Sequence, residues 1–134
     1  MNYDAHKFEV VMIIDDNIID TYIANKIILI NEFAKKTINF NGVQESFNYI
    51  FNILDESQLP EIILLDLHLD GLNGFDFLEL FEGLPFNKKR KMRVFVVSST
   101  IDPLEIKKIQ ENPNVKGFCE KYITKEFLEY IQSA

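Results

Sequence analysis

Ile62-Ile63-Leu64-Leu65-Asp66-Leu67-His68-Leu69 (residues 62–69) is the stretch from which the fold reads outward. Four consecutive apolar residues stop at a carboxylate. A continuous apolar run this short suits a strand covered on both faces, as in a parallel sheet, better than a half-exposed strand with alternating residues. Two other runs share that character, Phe8 to Ile14 and Val94 to Val97. Two more, Thr37 to Phe40 and Gly117 to Cys119, are shorter and more polar, which places them at or near the sheet edges.

Between the runs the period changes. Phe47, Ile50, Phe51 and Leu54 follow the i, i+3, i+4, i+7 spacing of one helix face. Ile18, Ile19, Tyr22, Ile23 and Ile27 predict a helix after the first strand, and Phe77, Leu78, Phe81 and Leu84 another after the third. Asp102-Pro103-Leu104-Glu105 is a helix start, with a capping carboxylate, proline in the first turn and glutamate three residues beyond the cap. Thr124 caps a final helix whose inner face holds Phe127, Leu128 and Ile131. Leu84-Pro85 and Asn112-Pro113-Asn114 read as breaks. Strand and helix thus alternate five times, which implies an α/β domain with a parallel sheet and helices on both faces. Ligands of such sheets sit beyond the carboxyl ends of the strands, near the topological switch point.

Asp15-Asp16-Asn17 follows the first strand, Asp66 the third, Ser98-Ser99-Thr100 ends the fourth, and Glu120-Lys121 follows the fifth. Three acids, a hydroxyl and a lysine therefore emerge from one sheet edge. Clustered carboxylates repel one another unless a cation intervenes, and hard oxygen ligands with room for water suit Mg²⁺. Aspartate is a covalent acceptor of phosphoryl groups, and an ammonium and a hydroxyl can each hold an oxygen of the transferred group. Taken singly, each part has an ordinary reading: the Asp pair as a helix cap, Asp66 as a turn residue, Lys121 as a surface lysine, Ser98 as a loop hydroxyl. The combination, in this order and at these strand ends, reads as a phosphoryl-accepting site.

Composition sets outer limits. The 134 residues suit one domain over 1–134, with a core about 8–132, and 47% apolar against 26% charged residues exclude a disordered or fibrous chain. Twenty-one acidic and fourteen basic residues give a net charge of −7, the wrong sign for a free-standing nucleic-acid binder. The single cysteine excludes an internal disulfide framework and a four-cysteine zinc site. Met1-Asn2-Tyr3-Asp4 lacks the features of a signal peptide, and runs such as Val10 to Ile14 are too short to cross a bilayer, so a cytoplasmic location is expected.

Along nearly its whole length the sequence resembles the receiver domain of bacterial two-component response regulators. The matching stretches are Met12-Ile13-Ile14-Asp15-Asp16-Asn17, Ile63-Leu64-Leu65-Asp66-Leu67, Leu72-Asn73-Gly74-Phe75, Val96-Val97-Ser98-Ser99 and Gly117-Phe118-Cys119-Glu120-Lys121. The resemblance implies a five-stranded parallel (βα)5 sheet of flavodoxin-like type, strand order 2-1-3-4-5. It implies that Asp66 accepts a phosphoryl group from a histidine kinase or phosphotransfer protein. Asp16, Asp66 and the backbone carbonyl of His68 would hold Mg²⁺ or Mn²⁺, with Asp15 acting through a metal-bound water. Lys121 and Ser98 would meet the phosphoryl group, Phe118 would occupy an aromatic switch position, and His68 and Thr100 would tune loss of the phosphoryl group. The output face would run from about Pro103 to Ser133.

Three positions depart from the family pattern. Tyr122 replaces the proline that usually follows the lysine, commonly across a cis bond; before a non-proline residue a cis bond costs ~3–4 kcal/mol. Asp70 replaces a proline often found four residues after the acceptor, and Phe118 lacks the hydroxyl of the commoner tyrosine.

The basic cluster Lys88-Lys89-Arg90-Lys91-Met92-Arg93 reads as a solvated loop before the fourth strand, His6 as part of an N-terminal tail, and Cys119 as a packing residue. Tyr122 and Tyr130 suit either partner anchors or ordinary helix-side aromatics. The expected protein is a stand-alone, non-enzymatic switch that binds a downstream protein or passes phosphate onward, as a monomer or a phosphorylation-dependent dimer, with no direct nucleic-acid or membrane contact. A degenerate receiver acting as a scaffold is the main rival. An aspartyl-phosphate hydrolase of haloacid dehalogenase type would need an aspartate where His68 stands, and a flavin-binding module would need a small-residue phosphate loop where Asp15 and Asp16 stand.

Overall fold

The strands form because short Val-, Ile-, Leu- and Phe-rich runs lose least by being covered on both sides, and in the computed structural model, which describes residues 5–134, they make one sheet. The strands are β1 (Phe8–Ile14), β2 (Ala34–Phe40), β3 (Ile62–Leu65), β4 (Arg93–Ser98) and β5 (Val115–Glu120). Every pairing is parallel and the order is β2-β1-β3-β4-β5, as the resemblance implies. All four residues of central β3 are buried, whereas edge strand β2 exposes Lys35 and Lys36. The β2 ladder begins three residues before the predicted run, because Ala34 and Lys36 pair through their backbones with Phe8 and Val10 whatever their side chains. The Met1-Asn2-Tyr3-Asp4 start, read above as lacking signal-peptide features, lies outside the described residues.

Strand side chains alternate between the two faces. Met12, Ile14, Ile63 and Leu65 pack on one face with Ile50 and Phe77, from α2 (Val43–Asn52) and α3 (Gly74–Glu82). Val11, Ile13, Leu64 and Phe95 pack on the other with Ile28 and Leu128, from α1 (Ile18–Ile30) and α6 (Lys125–Ser133). Each fully buried Ile, Leu or Phe contributes roughly 1.5–3 kcal/mol of transfer free energy. A smaller cluster of Leu67, Val96 and Ile109 holds α5 (Pro103–Glu111). A one-turn helix, α4 (Phe86–Lys89), and a 3-10 turn at Glu56–Gln58 complete the elements.

Four expectations are corrected. First, the inner face of α1 is Ala24, Ile27 and Ile28, while Ile18, Ile19 and Tyr22 are exposed; apolar residues occur on more than one side of the helix, so their spacing does not fix its phase. Second, α2 ends at Asn52, before the exposed Leu54; Phe51 lies within the helix but on its exposed side, and the inner face is Val43, Ser46, Phe47 and Ile50. Third, the basic cluster is only partly loop: Lys88 and Lys89 lie in α4 and Arg93 in β4. Lys88 Nζ donates to the carbonyls of Ile50 and Phe51, Lys89 Nζ to Glu82, and Arg93 to the carbonyls of Ile131 and Ala134. Fourth, Glu105 does not turn back to its cap. Asp102 caps α5 by accepting from Leu104 N (2.9 Å), and its own N–H goes to Thr100 Oγ1 (3.2 Å). Thr124 caps α6 as expected, accepting from Phe127 N at 3.1 Å.

Candidate functional site

The connections leaving β1 and β3 run to opposite sides, so a crevice opens beyond the ends of these two neighbouring strands. Asp15 follows β1 and Asp66 follows β3, and each extends its strand's ladder by one bond: Asp15 N donates to Phe40 O and Asp66 N to Ile14 O, both at 3.0 Å. The two carboxylates are thereby fixed side by side. Lys121, after β5, is tied by its N–H to Ser98 O, also at 3.0 Å. The Lys121–Tyr122 peptide is cis.

Three carboxylate oxygens surround the Lys121 ammonium: Asp20 at 2.7 Å, Asp15 at 2.8 Å and Asp66 at 3.0 Å. The lysine side chain is only 10% exposed. Burial works against its charged form, but the hydrogen bonds to Asp15, Asp20 and Asp66 outweigh it and raise its pKa. Burial pushes the Asp15 carboxyl up, with help from the Asp66 charge, against the opposing bonds from Lys121 and Asn17 N. Asp15, Asp16 and Asp66 each present an oxygen, and these oxygens lie within 4.8 Å of one another. One ammonium does not neutralise this group, and hard oxygen donors at such spacing fit a small divalent cation.

The surrounding loops hold the acids in place. Asn17, not the Asp pair, caps α1, accepting from Asp20 N at 3.0 Å, while Asp15 accepts from Asn17 N at 2.9 Å. Asp16 accepts from the N–H of Asp70 at 2.9 Å, a bond that the family's proline at that position could not donate. Beyond it, Gly71 turns the chain with a φ of +78°, and Asn73 starts α3 with a reciprocal capping box to Asp76.

On the opposite rim, Glu105 joins two of the predicted positions. Its Oε1 accepts from Thr100 Oγ1 at 2.5 Å and lies 3.0 Å from His68 Nε2. The Thr100 hydroxyl is the main cause of a Glu105 pKa below its ordinary value. Thr100 N donates to Ser98 Oγ at 3.3 Å, so the fully buried Ser98 belongs to the same chain of bonds. Phe118 is half-buried against the Leu67, Val96 and Ile109 cluster. Cys119 is partly covered on β5, where burial pushes its thiol pKa up. The Tyr130 hydroxyl donates to Lys116 O at 3.1 Å, and its ring stacks on Phe127.

The structure therefore gathers Asp15, Asp16, Asp66 and Lys121 at one point, with His68, Ser98 and Thr100 beside it and Phe118 one layer behind. Two residues were not foreseen. Asp20 was detectable as the third residue after a capping asparagine, which puts it in the first turn beside the strand end. Glu105 was seen only as a capping partner.

No family model matches the sequence, and no curated protein matches it. Solved structures do. A two-component response regulator from Cytophaga hutchinsonii superposes with a TM-score of 0.86 at 23% identity, covering 93% of this chain and 94% of that one. A response regulator receiver protein from Dyadobacter fermentans gives 0.80 at 26% identity, covering 92% and 94%. The Mn²⁺-bound form of response regulator Rcp1 gives 0.70 at 17% identity, covering 92% and 88%. Among the described residues no helix is long and apolar enough to cross a membrane. The chain carries the receiver fold, and over more than nine-tenths of its length it is similar to response-regulator receivers.

Proposed function

We propose that the protein is a receiver that takes a phosphoryl group onto Asp66 from a histidine kinase or phosphotransfer protein and passes the signal on by binding another protein. The observation that carries this is the meeting of Asp15, Asp16 and Asp66 with Lys121 at the switch point of a receiver fold. An Asp66 oxygen attacks phosphorus, the bond from phosphorus to the donor breaks, its electron pair leaves with the donor, and an acyl phosphate remains. Lys121 is held by its neighbours within reach of the incoming oxygens, and Ser98 supplies a hydroxyl from the adjoining strand end.

Asp15, Asp16, Asp66 and the His68 carbonyl are the groups that would hold Mg²⁺ or Mn²⁺. An ion held there would offset the carboxylate charge that otherwise repels an anionic donor. Phe118, packed between β5 and α5, is the element that would respond to movement of Ser98, carrying the change to the face from Pro103 to Ser133. His68 and Thr100, tied together by Glu105, would set how fast water removes the phosphoryl group. We place the protein in the cytoplasm, acting by protein contact and not on nucleic acid.

Intact-mass measurement with Mg²⁺ and acetyl phosphate tests this. The expected result is one phosphoryl adduct on the wild type and none on Asp66→Asn, with beryllofluoride perturbing the NMR spectrum of the wild type alone. A wild type that gains no adduct, or an Asp66→Asn variant that gains the same one, refutes the proposal.

A further inference from the structure

Asp20 has no role in the reading above, yet it lies closer to the Lys121 ammonium, at 2.7 Å, than Asp15 at 2.8 Å or Asp66 at 3.0 Å. Its place is built in: it stands in the first turn of α1, its N–H fixed by the Asn17 cap at 3.0 Å, with its side chain 16% exposed. Tyr122 lines the same small cavity as Asp20 and Lys121, and the Asp20 carboxylate raises the pKa of its phenol.

Around the ammonium, Asp20 and Asp66 accept hydrogen bonds and Asp15 makes a third close ion pair. A phosphoryl oxygen that approaches Lys121 competes with these carboxylates for it. Asp15 and Asp66 belong to the site that must be filled. Asp20 belongs to α1.

We infer that Asp20 is a positioning residue that anchors Lys121 on the α1 side and so restrains phosphoryl uptake by Asp66. The inference rests on the phosphoacceptor reading. Two effects act in the same direction. The anchor competes for the lysine that the phosphoryl group needs. Its charge also lies close to the acceptor, since the Asp20 and Asp66 oxygens share one ammonium and are ~6 Å apart at most, so it repels an anionic donor. The same negative charge favours a divalent cation. Removing it should therefore shift anion and cation affinity in opposite directions, which a merely structural residue would not do.

The test uses the full chain as wild type, Asp20→Asn, Asp20→Ser and Asp20→Glu. Phosphorylation by sub-saturating acetyl phosphate at saturating Mg²⁺ is followed by intact mass, and Mg²⁺ affinity is measured by calorimetric titration without donor. Asp20→Asn and Asp20→Ser are expected to be phosphorylated about three- to tenfold faster and to bind Mg²⁺ about two- to fivefold more weakly. Asp20→Glu, which keeps the charge, should return towards the wild type in both. Unchanged or slower phosphorylation in the two neutral variants, or movement of both quantities in one direction, overturns the inference. Those results leave the phosphoacceptor reading standing, provided the wild type is modified at Asp66. A wild type without the adduct removes both.

Discussion

Replacing Gly74 with alanine probes how closely the start of α3 is held against the Asp66 loop. Gly74 is buried, and its N–H donates to Leu67 O at 2.9 Å. A Cβ at this position would lie 2.6 Å from the Asp66 carbonyl oxygen, 2.7 Å from Leu67 Cα and 3.1 Å from Leu67 Cδ2. The two nearest obstacles are backbone and cannot rotate aside, so helix or loop must move by roughly 0.5–1 Å to restore ordinary contact. Such overpacking costs ~1–3 kcal/mol, and with backbone in the way the upper part of that range applies. Alanine returns at most ~1 kcal/mol of helix propensity, leaving a net loss of ~2 kcal/mol. For a domain of this size that is about 6–8 °C in Tm. Gly83 is the internal control: it caps α3 at a φ of −78°, and a Cβ there would lie no nearer than 3.4 Å to Leu80 O. Gly83→Ala should be neutral or stabilising by up to ~1 kcal/mol. Thermal and urea unfolding of both variants decide the matter. A Gly74→Ala protein that melts with the wild type, or a Gly83→Ala protein that loses as much, refutes the close-approach reasoning. Because the displaced atoms include the backbone of Asp66, the proposed acceptor, Gly74→Ala should also slow its modification.

Two further variants test the electrostatics. The Asp15 pKa is raised above its ordinary 3.8 by burial, so the stability this group favours is present below that value and is lost as pH rises through the raised one. Asp15→Asn should accordingly melt higher than the wild type at neutral pH in EDTA, with the gap closing in acid; an equal or lower Tm at pH 7 contradicts it. Glu105 is shifted the other way, chiefly by the Thr100 hydroxyl, so its contribution is present above its ordinary 4.5 and fades as pH falls through the lowered value. Glu105→Ala should cost no more than ~1 kcal/mol at pH 7, and less in acid, by chemical denaturation. A loss of several kcal/mol, or one that grows in acid, would show that the rim is held differently.

How much of this was legible in the sequence follows from which forces leave a trace in composition. β1 and β3 match their apolar runs end to end; β3 and the second half of β1 are buried on both faces and apolar throughout, with Glu9 exposed near the start of β1. β2 and β5 run past theirs, because edge pairing uses backbone groups and tolerates exposed lysines such as Lys35 and Lys36. The phase of α1 was not legible. With isoleucines on several sides of the helix, their spacing does not single out the side carrying Ala24, Ile27 and Ile28 that packs.

The same distinction separates the parts of the site. Asp15, Asp16, Asp66, Ser98 and Lys121 were legible because each stands at a strand end, and a parallel sheet brings strand ends together whatever lies between them. Asp20 and Glu105 stand in first turns of helices, where an acid also satisfies the helix dipole and carries no mark of a second duty. Only the direction in which each helix leaves the sheet turns Asp20 onto Lys121, and Glu105 onto His68 and Thr100. On the proposed reading, strand-end residues carry the chemistry and first-turn residues such as Asp20 restrain it. Variation among proteins with the same strand-end acids and lysine is therefore expected to concentrate in those turns, and Asp20→Asn against Asp15→Asn is the direct comparison. The first should change the rate of phosphoryl uptake while leaving the chemistry intact, and the second should impair the cation site itself.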